Sequence, residues 1–129
     1  MTRVILDTQA FLWWVSGSDR LTPRAAEVIG DRAVTVLVSA ASTWEIGIKV
    51  ALGKLQLQGI PAEYVPSRIR RHGFQELPID VPHTLAAATL PRHHGDPFDR
   101  LLVAQSRLED APLITANPLL RLYDVDVIW

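Results

Sequence analysis

Four acidic positions in this 129-residue chain stand where a carboxylate can do chemistry, and they come from three distant parts of the sequence. Asp7 follows the apolar run Val4-Ile5-Leu6 with no spacer. Glu45 sits among Ala40, Ala41, Trp44, Ile46 and Ile48. Asp96 and Asp99 fall within one helical turn in Asp96-Pro97-Phe98-Asp99-Arg100. Hard divalent cations take oxygen ligands, and Mg²⁺ keeps several waters beside one or two carboxylates, so two acids at one helix start are a natural half of such a site. Thr115 and Asn117, at the end of Leu113-Ile114-Thr115-Ala116-Asn117, add neutral oxygens and donors suited to a water or a phosphate.

Each position also has a plainer reading. Asp7 could simply cap a helix beginning near Thr8. Glu45 has Lys49 four residues on, the spacing of an ion pair on a solvated helix face, and alone that reading prevails. Asp96 belongs at an N-cap and Asp99 at the third helical position, an imperfect capping box that the helix dipole favours. Asn117 could be a cap ahead of Pro118. The case for a site rests on coincidence: a gathering of like charges repels itself unless a cation neutralises it.

The elements needed to bring these residues together can be read from patterning. Short apolar runs predict strands at Val4–Leu6, Val34–Val38, Leu113–Thr115 and Val125–Trp129. A weaker one at Phe74–Ile79 contains Pro78 and belongs at an edge. Thr22-Pro23 opens a helix to about Gly30. Ser39 or Ser42 caps another through Lys49, and a third runs from Pro61 to about His72-Gly73. Pro82–Leu90 is a short one, and Asp96-Pro97 starts the clearest, to Glu109-Asp110, with Leu101, Leu102, Ala104 and Leu108 offered to a core. Alternating strands and helices predict an α/β fold, a three-layer α/β/α sandwich around a mostly parallel sheet. In such folds the functional crevice lies beyond the carboxyl ends of the strands, at the topological switch point, which directs attention to Asp7.

Composition narrows the class. The length suits one domain over residues 1–129, and 48% hydrophobic with 21% charged residues is an ordinary globular balance. With no cysteine, disulfides, zinc–thiolate sites and thiol nucleophiles are excluded. No apolar run approaches the ~20 residues that cross a bilayer, and the start lacks a signal-peptide pattern. A cytoplasmic protein without membrane association is expected. A net charge of −1 argues against a coat held to nucleic acid by bulk positive charge.

Over Leu6-Asp7-Thr8 with Phe11-Leu12-Trp13, Ser42-Thr43-Trp44-Glu45-Ile46 with Ile48-Lys49, Asp96 to Gln105, Thr115-Ala116-Asn117, and Tyr123 to Trp129, the chain resembles PIN-domain proteins of the VapC type, toxins of bacterial toxin–antitoxin pairs. These segments span the whole chain, and Asp96-Pro97-Phe98-Asp99-Arg100-Leu101-Leu102 is the most specific. The resemblance implies an α/β/α sandwich and an endoribonuclease needing Mg²⁺ or Mn²⁺, which leaves 5′-phosphate and 3′-hydroxyl ends on its RNA substrate. It also implies a cognate antitoxin and a homodimer. Asp7, Glu45 and Asp99 match the family's acidic core, and Asp96 is this subgroup's extra acid. Asn117 stands where close relatives often carry Asp. On this basis Asp7 and Asp99 hold the cation while Asp96 adds charge at the edge. Glu45 orients or deprotonates water, or shares the metal, and Thr115 and Asn117 position water or phosphate.

Other features are assigned lesser parts. All four histidines are expected at the surface, with at most a phosphate contact by Arg92 and His93. Arg68, Arg70, Arg71 and His72 read as a solvated helix face more than an RNA track. Ala10–Val15 and Ala25–Ile29 could form a groove for a helical antitoxin segment. Two rivals to the nuclease are a receiver-like signalling domain, which would need a late Lys this chain lacks, and a PIN scaffold that binds RNA or a partner without cutting.

Overall fold

The computed structural model describes residues 2–129. Five strands, β1 (Arg3–Leu6), β2 (Thr35–Ser39), β3 (Gln75–Leu77), β4 (Leu113–Ile114) and β5 (Val127–Ile128), form one sheet in the order β3-β2-β1-β4-β5. Every neighbouring pair is parallel; Leu6 pairs with Val38 on one side and Ile114 on the other. Six α-helices connect them: α1 (Thr8–Ser16), α2 (Pro23–Gly30), α3 (Ala40–Ala51), α4 (Pro61–Arg71), α5 (Val81–Ala88) and α6 (Pro97–Glu109).

A sheet covered on both faces needs strands that are apolar at every position, not at alternate ones. β1 and β2 meet that need. Val4, Leu6, Val36 and Val38 point to one side, where Phe11, Ile29, Ile46, Val65 and Ile69 pack on them. Ile5 and Leu37 point to the other, against Leu102, Val103, Leu113 and Leu120. These are the three layers that patterning predicts. Burial of each such side chain contributes about 1.5–3 kcal/mol before conformational entropy is counted.

The chain leaves β1 toward β2 on one side and later places β4 on the other, so β1 is the switch point. Its carboxyl end and that of β4 open into the crevice where ligands bind in this class of sheet. Local signals hold at most boundaries. Thr22 caps α2, accepting from the Ala25 N–H at 3.1 Å. Ser39, not Ser42, caps α3. β3 is an edge strand that stops before Pro78, as a residue without an N–H requires. Three expectations need correction. Leu108 is exposed, because α6 turns that face outward. β5 covers only the centre of Val125–Trp129, and a 3₁₀ helix forms at Pro118–Leu122, where patterning predicts no element.

Candidate active site

Asp7 leaves β1 with extended backbone and becomes the N-cap of α1, so the helix start fixes its carboxylate at the sheet's carboxyl edge. Its Oδ1 accepts from the Ala10 N–H at 2.7 Å, and its Oδ2 accepts from the Thr115 hydroxyl at 2.5 Å. The capping role and the site position therefore coincide in one side chain. Thr115 is fully buried at the end of β4, and its Oγ1 also accepts from the Asn117 N–H at 3.1 Å. Its hydroxyl is committed to Asp7 and not to an open position for water or phosphate.

Glu45 is buried on α3, and its Oε2 lies 3.0 Å from Lys49 Nζ. The i,i+4 ion pair is real, but it sits inside the cleft rather than on a solvated face. Asp96 caps α6, its Oδ1 accepting from the Asp99 N–H at 2.9 Å. Asn117 caps the 3₁₀ helix through its Oδ1 and the Leu119 N–H at 3.0 Å. Asp7, Glu45, Asp96, Asp99, Lys49 and Asn117 line one cleft of about 430 Å³. Larger clefts elsewhere, of about 570 and 660 Å³, gather no such carboxylates.

The electrostatics follow from crowding acids in a dry place. Burial pushes the Asp7 carboxyl up from 3.8 to about 6; the charges of Asp99 and Glu45 add to this, and the bonds from Thr115 and Ala10 oppose it. Burial also raises Asp99, helped by Asp96 and Glu45 and opposed by the hydrogen bond from His94. A divalent cation relieves this repulsion, and the all-oxygen donor set suits a hard ion. Among the described residues no three His, Cys, Asp or Glu side chains are gathered so as to hold an ion by themselves.

Two histidines overturn the expectation of surface positions. His94 Nε2 is 2.8 Å from Asp99 Oδ2, with both side chains about four-fifths covered. His83 is buried. Its Nδ1 accepts from the Asp80 N–H at 2.9 Å, so its Nε2 donates to Glu109 Oε2 at 3.0 Å, and Arg3 pairs with the same carboxylate at 3.5 Å. The Asp80-x-x-His83 spacing is a local signal that could have placed His83 at a helix start; nothing local points to the His94 contact. His72 is exposed, as expected, and neighbouring Arg71 and Arg68 add to burial in lowering its pKa. Arg92 and His93 are exposed and do not line the acidic cleft; the His93 ring packs edge-on against Tyr123. Ala25 and Ile29 are core residues, so they form no groove wall. Leu12, Trp13 and Val15 do line one, opposite Leu57, Arg68 and Arg71.

The family model for the PIN domain matches residues 4–126. The chain belongs to the PIN-domain family. Over 57 residues it is 46% identical to Ribonuclease VapC16 of Mycobacterium tuberculosis, a match covering 44% of this chain and 40% of that protein. The matched part of this PIN chain thus spans less than half of that relative's length. Among solved structures, VapBC2 from Rickettsia felis, bound to a DNA fragment from its promoter, superposes with a TM-score of 0.69 at 15% identity, covering 98% of this chain and 97% of that one. FitAcB from Neisseria gonorrhoeae gives 0.64 at 19% identity, covering 96% and 95%. At these identities the likeness is one of fold, the PIN sandwich.

Proposed function

We propose that this PIN-domain protein is an endoribonuclease dependent on Mg²⁺ or Mn²⁺ and the toxin of a toxin–antitoxin pair. The observation that carries the reading is the convergence of Asp7, Glu45, Asp96 and Asp99 on one cleft at the switch point, under mutual repulsion that a cation relieves. Asp7 and Asp99 would hold the ion, with Asp96 adding negative charge at the rim. The bound ion supplies acidification of water and neutralisation of charge on the phosphoryl oxygens. Glu45, anchored by Lys49, accepts the proton of the attacking water. Thr115 fixes the Asp7 carboxylate, and Asn117 borders the space left for phosphate. In-line attack on the phosphorus with departure of the 3′ oxygen leaves 5′-phosphate and 3′-hydroxyl ends.

A cognate antitoxin is the partner in this reading. The groove between α1 and α4 is apolar along Leu12, Val15 and Leu57 and basic at Arg68 and Arg71, which suits an amphipathic acidic segment. It shares Gln9 and Trp13 with the acidic cleft, so an occupant could reach the site. Exposed Val81 and Leu85 on α5 offer a face for a second copy, and a homodimer is part of the proposal. Among the described residues no helix is long and apolar enough to cross a membrane; action on cytoplasmic RNA is proposed.

The test is incubation of purified protein with structured RNAs in Mn²⁺, with and without chelator, beside Asp7→Asn. Cleavage by the wild type that chelator and Asp7→Asn both abolish is expected. Cleavage that survives both overturns the metal mechanism, and RNA binding without cleavage favours a non-cutting scaffold.

A further inference from the structure

Asp99 and Arg100, consecutive on α6, grip the same residue from two sides. Asp99 Oδ2 meets the His94 ring at 2.8 Å, while Arg100 Nη1 donates to the His94 carbonyl at 3.2 Å. Arg100 makes further bonds, to the carbonyls of Pro91 at 3.0 Å, Ala87 at 2.9 Å and Leu90 at 3.0 Å. Tyr123 completes the frame: its hydroxyl accepts from the His94 N–H at 3.0 Å and from Arg100 at 3.3 Å, and donates to the His94 carbonyl. The segment before α6 is thus not a slack connection. Its backbone is bound on both polar groups of His94, which fixes the point from which the imidazole reaches Asp99.

That placement acts on the cleft. With Oδ2 engaged by His94, Asp99 keeps Oδ1, to which no donor among the described residues is directed. A carboxylate free to rotate about its terminal torsion, which is broad for Asp, presents its oxygens in many directions. One pinned by a ring nitrogen presents them in one. We propose that His94 is a positioning residue of the cation site: it orients the Asp99 carboxylate for a divalent ion without itself touching the ion. Arg100 and Tyr123 act one step further out, holding His94. This rests on the metal-dependent reading above and deepens it. Partners that orient a ligating carboxylate commonly carry tenfold to hundredfold in metal affinity.

The experiment is calorimetric titration of Mn²⁺ into metal-free protein, wild type beside His94→Ala and His94→Gln, with a thermal melt of each. Gln keeps an N–H at nearly the reach of the imidazole Nε2, so it separates the hydrogen bond from mere folding. Expected is a tenfold to hundredfold loss of Mn²⁺ affinity in His94→Ala, with most of it recovered in His94→Gln. If wild type and His94→Ala bind Mn²⁺ equally, the positioning role is wrong while the metal reading stands. A His94→Gln protein that is folded but binds as weakly as His94→Ala also overturns it. If the wild type takes up no Mn²⁺, the metal reading fails and this role with it.

Discussion

Replacing Asp7 by Asn should make the metal-free protein more stable, although it removes a residue at the centre of the site. The carboxyl titrates near 6 in the folded chain against an ordinary 3.8. A group that holds its proton more tightly when folded favours folding at low pH, and that advantage is lost as pH rises from about 4 to above 6. At ~1.4 kcal/mol per pH unit, the ionised side chain disfavours the folded state by roughly 3 kcal/mol at pH 8. Asn carries no charge to desolvate and can still accept from the Ala10 N–H. Its amide, however, meets a Thr115 hydroxyl that must then stop donating to it, at a cost of about 1 kcal/mol. The net gain is roughly 2 kcal/mol, or a melting temperature about 6 °C higher for a chain of this size. Thermal melts in chelator at pH 8 and pH 4 measure it. The excess should be present at pH 8, fall to slightly below zero at pH 4, where little remains to set against the Thr115 cost, and reverse at pH 8 on adding Mn²⁺, which stabilises only the protein that binds it. An Asp7→Asn protein that melts at or below the wild type at pH 8 in chelator would refute the reasoning, as would an excess independent of pH.

Two further substitutions separate the roles of neighbouring groups. Thr115→Val deletes the donor to Asp7 Oδ2 and the acceptor of the Asn117 N–H. It should cost about 1–3 kcal/mol at pH 8 in urea denaturation, with a smaller loss near pH 4, where the Asp7 carboxyl is neutral. Glu45→Gln should lower RNA cleavage by about 10²- to 10⁴-fold in single-turnover assays while leaving a measurable Mn²⁺ titration, since proton removal and not ion binding is its main part.

How much of this could be read from the residues depends on how local the determining contact is. Asp7, Asp96 and Asp99 were legible because each sits at a junction that the sequence marks: an apolar run ending, or a Pro opening a helix. The central strands are legible because burial on both faces forces continuous apolar runs, whereas edge strand β3, Gln75–Leu77, is exposed at its first two residues and carries a weaker signal. The His94 contact was not, since its direction is set by Tyr123, 29 residues away, and by an Arg whose neighbours suggest only a helix start. Ala25 and Ile29 look like groove residues in a helical pattern, but the same spacing serves a core-facing stripe, and packing against Phe11 and Val36 decided it. In the sequence Thr115 reads as a group poised for water; the fold sets β4 beside β1 and aims its hydroxyl at Asp7.

The convergence of the acids on one cation is tested most directly by diffraction from crystals soaked in Mn²⁺, recorded to show the metal's anomalous signal. A peak in the cleft within bonding distance of the Asp7 and Asp99 carboxylates, absent in Asp7→Asn crystals, is the predicted result. Saturating Mn²⁺ with no peak there, or an ion held only elsewhere on the molecule, would contradict it.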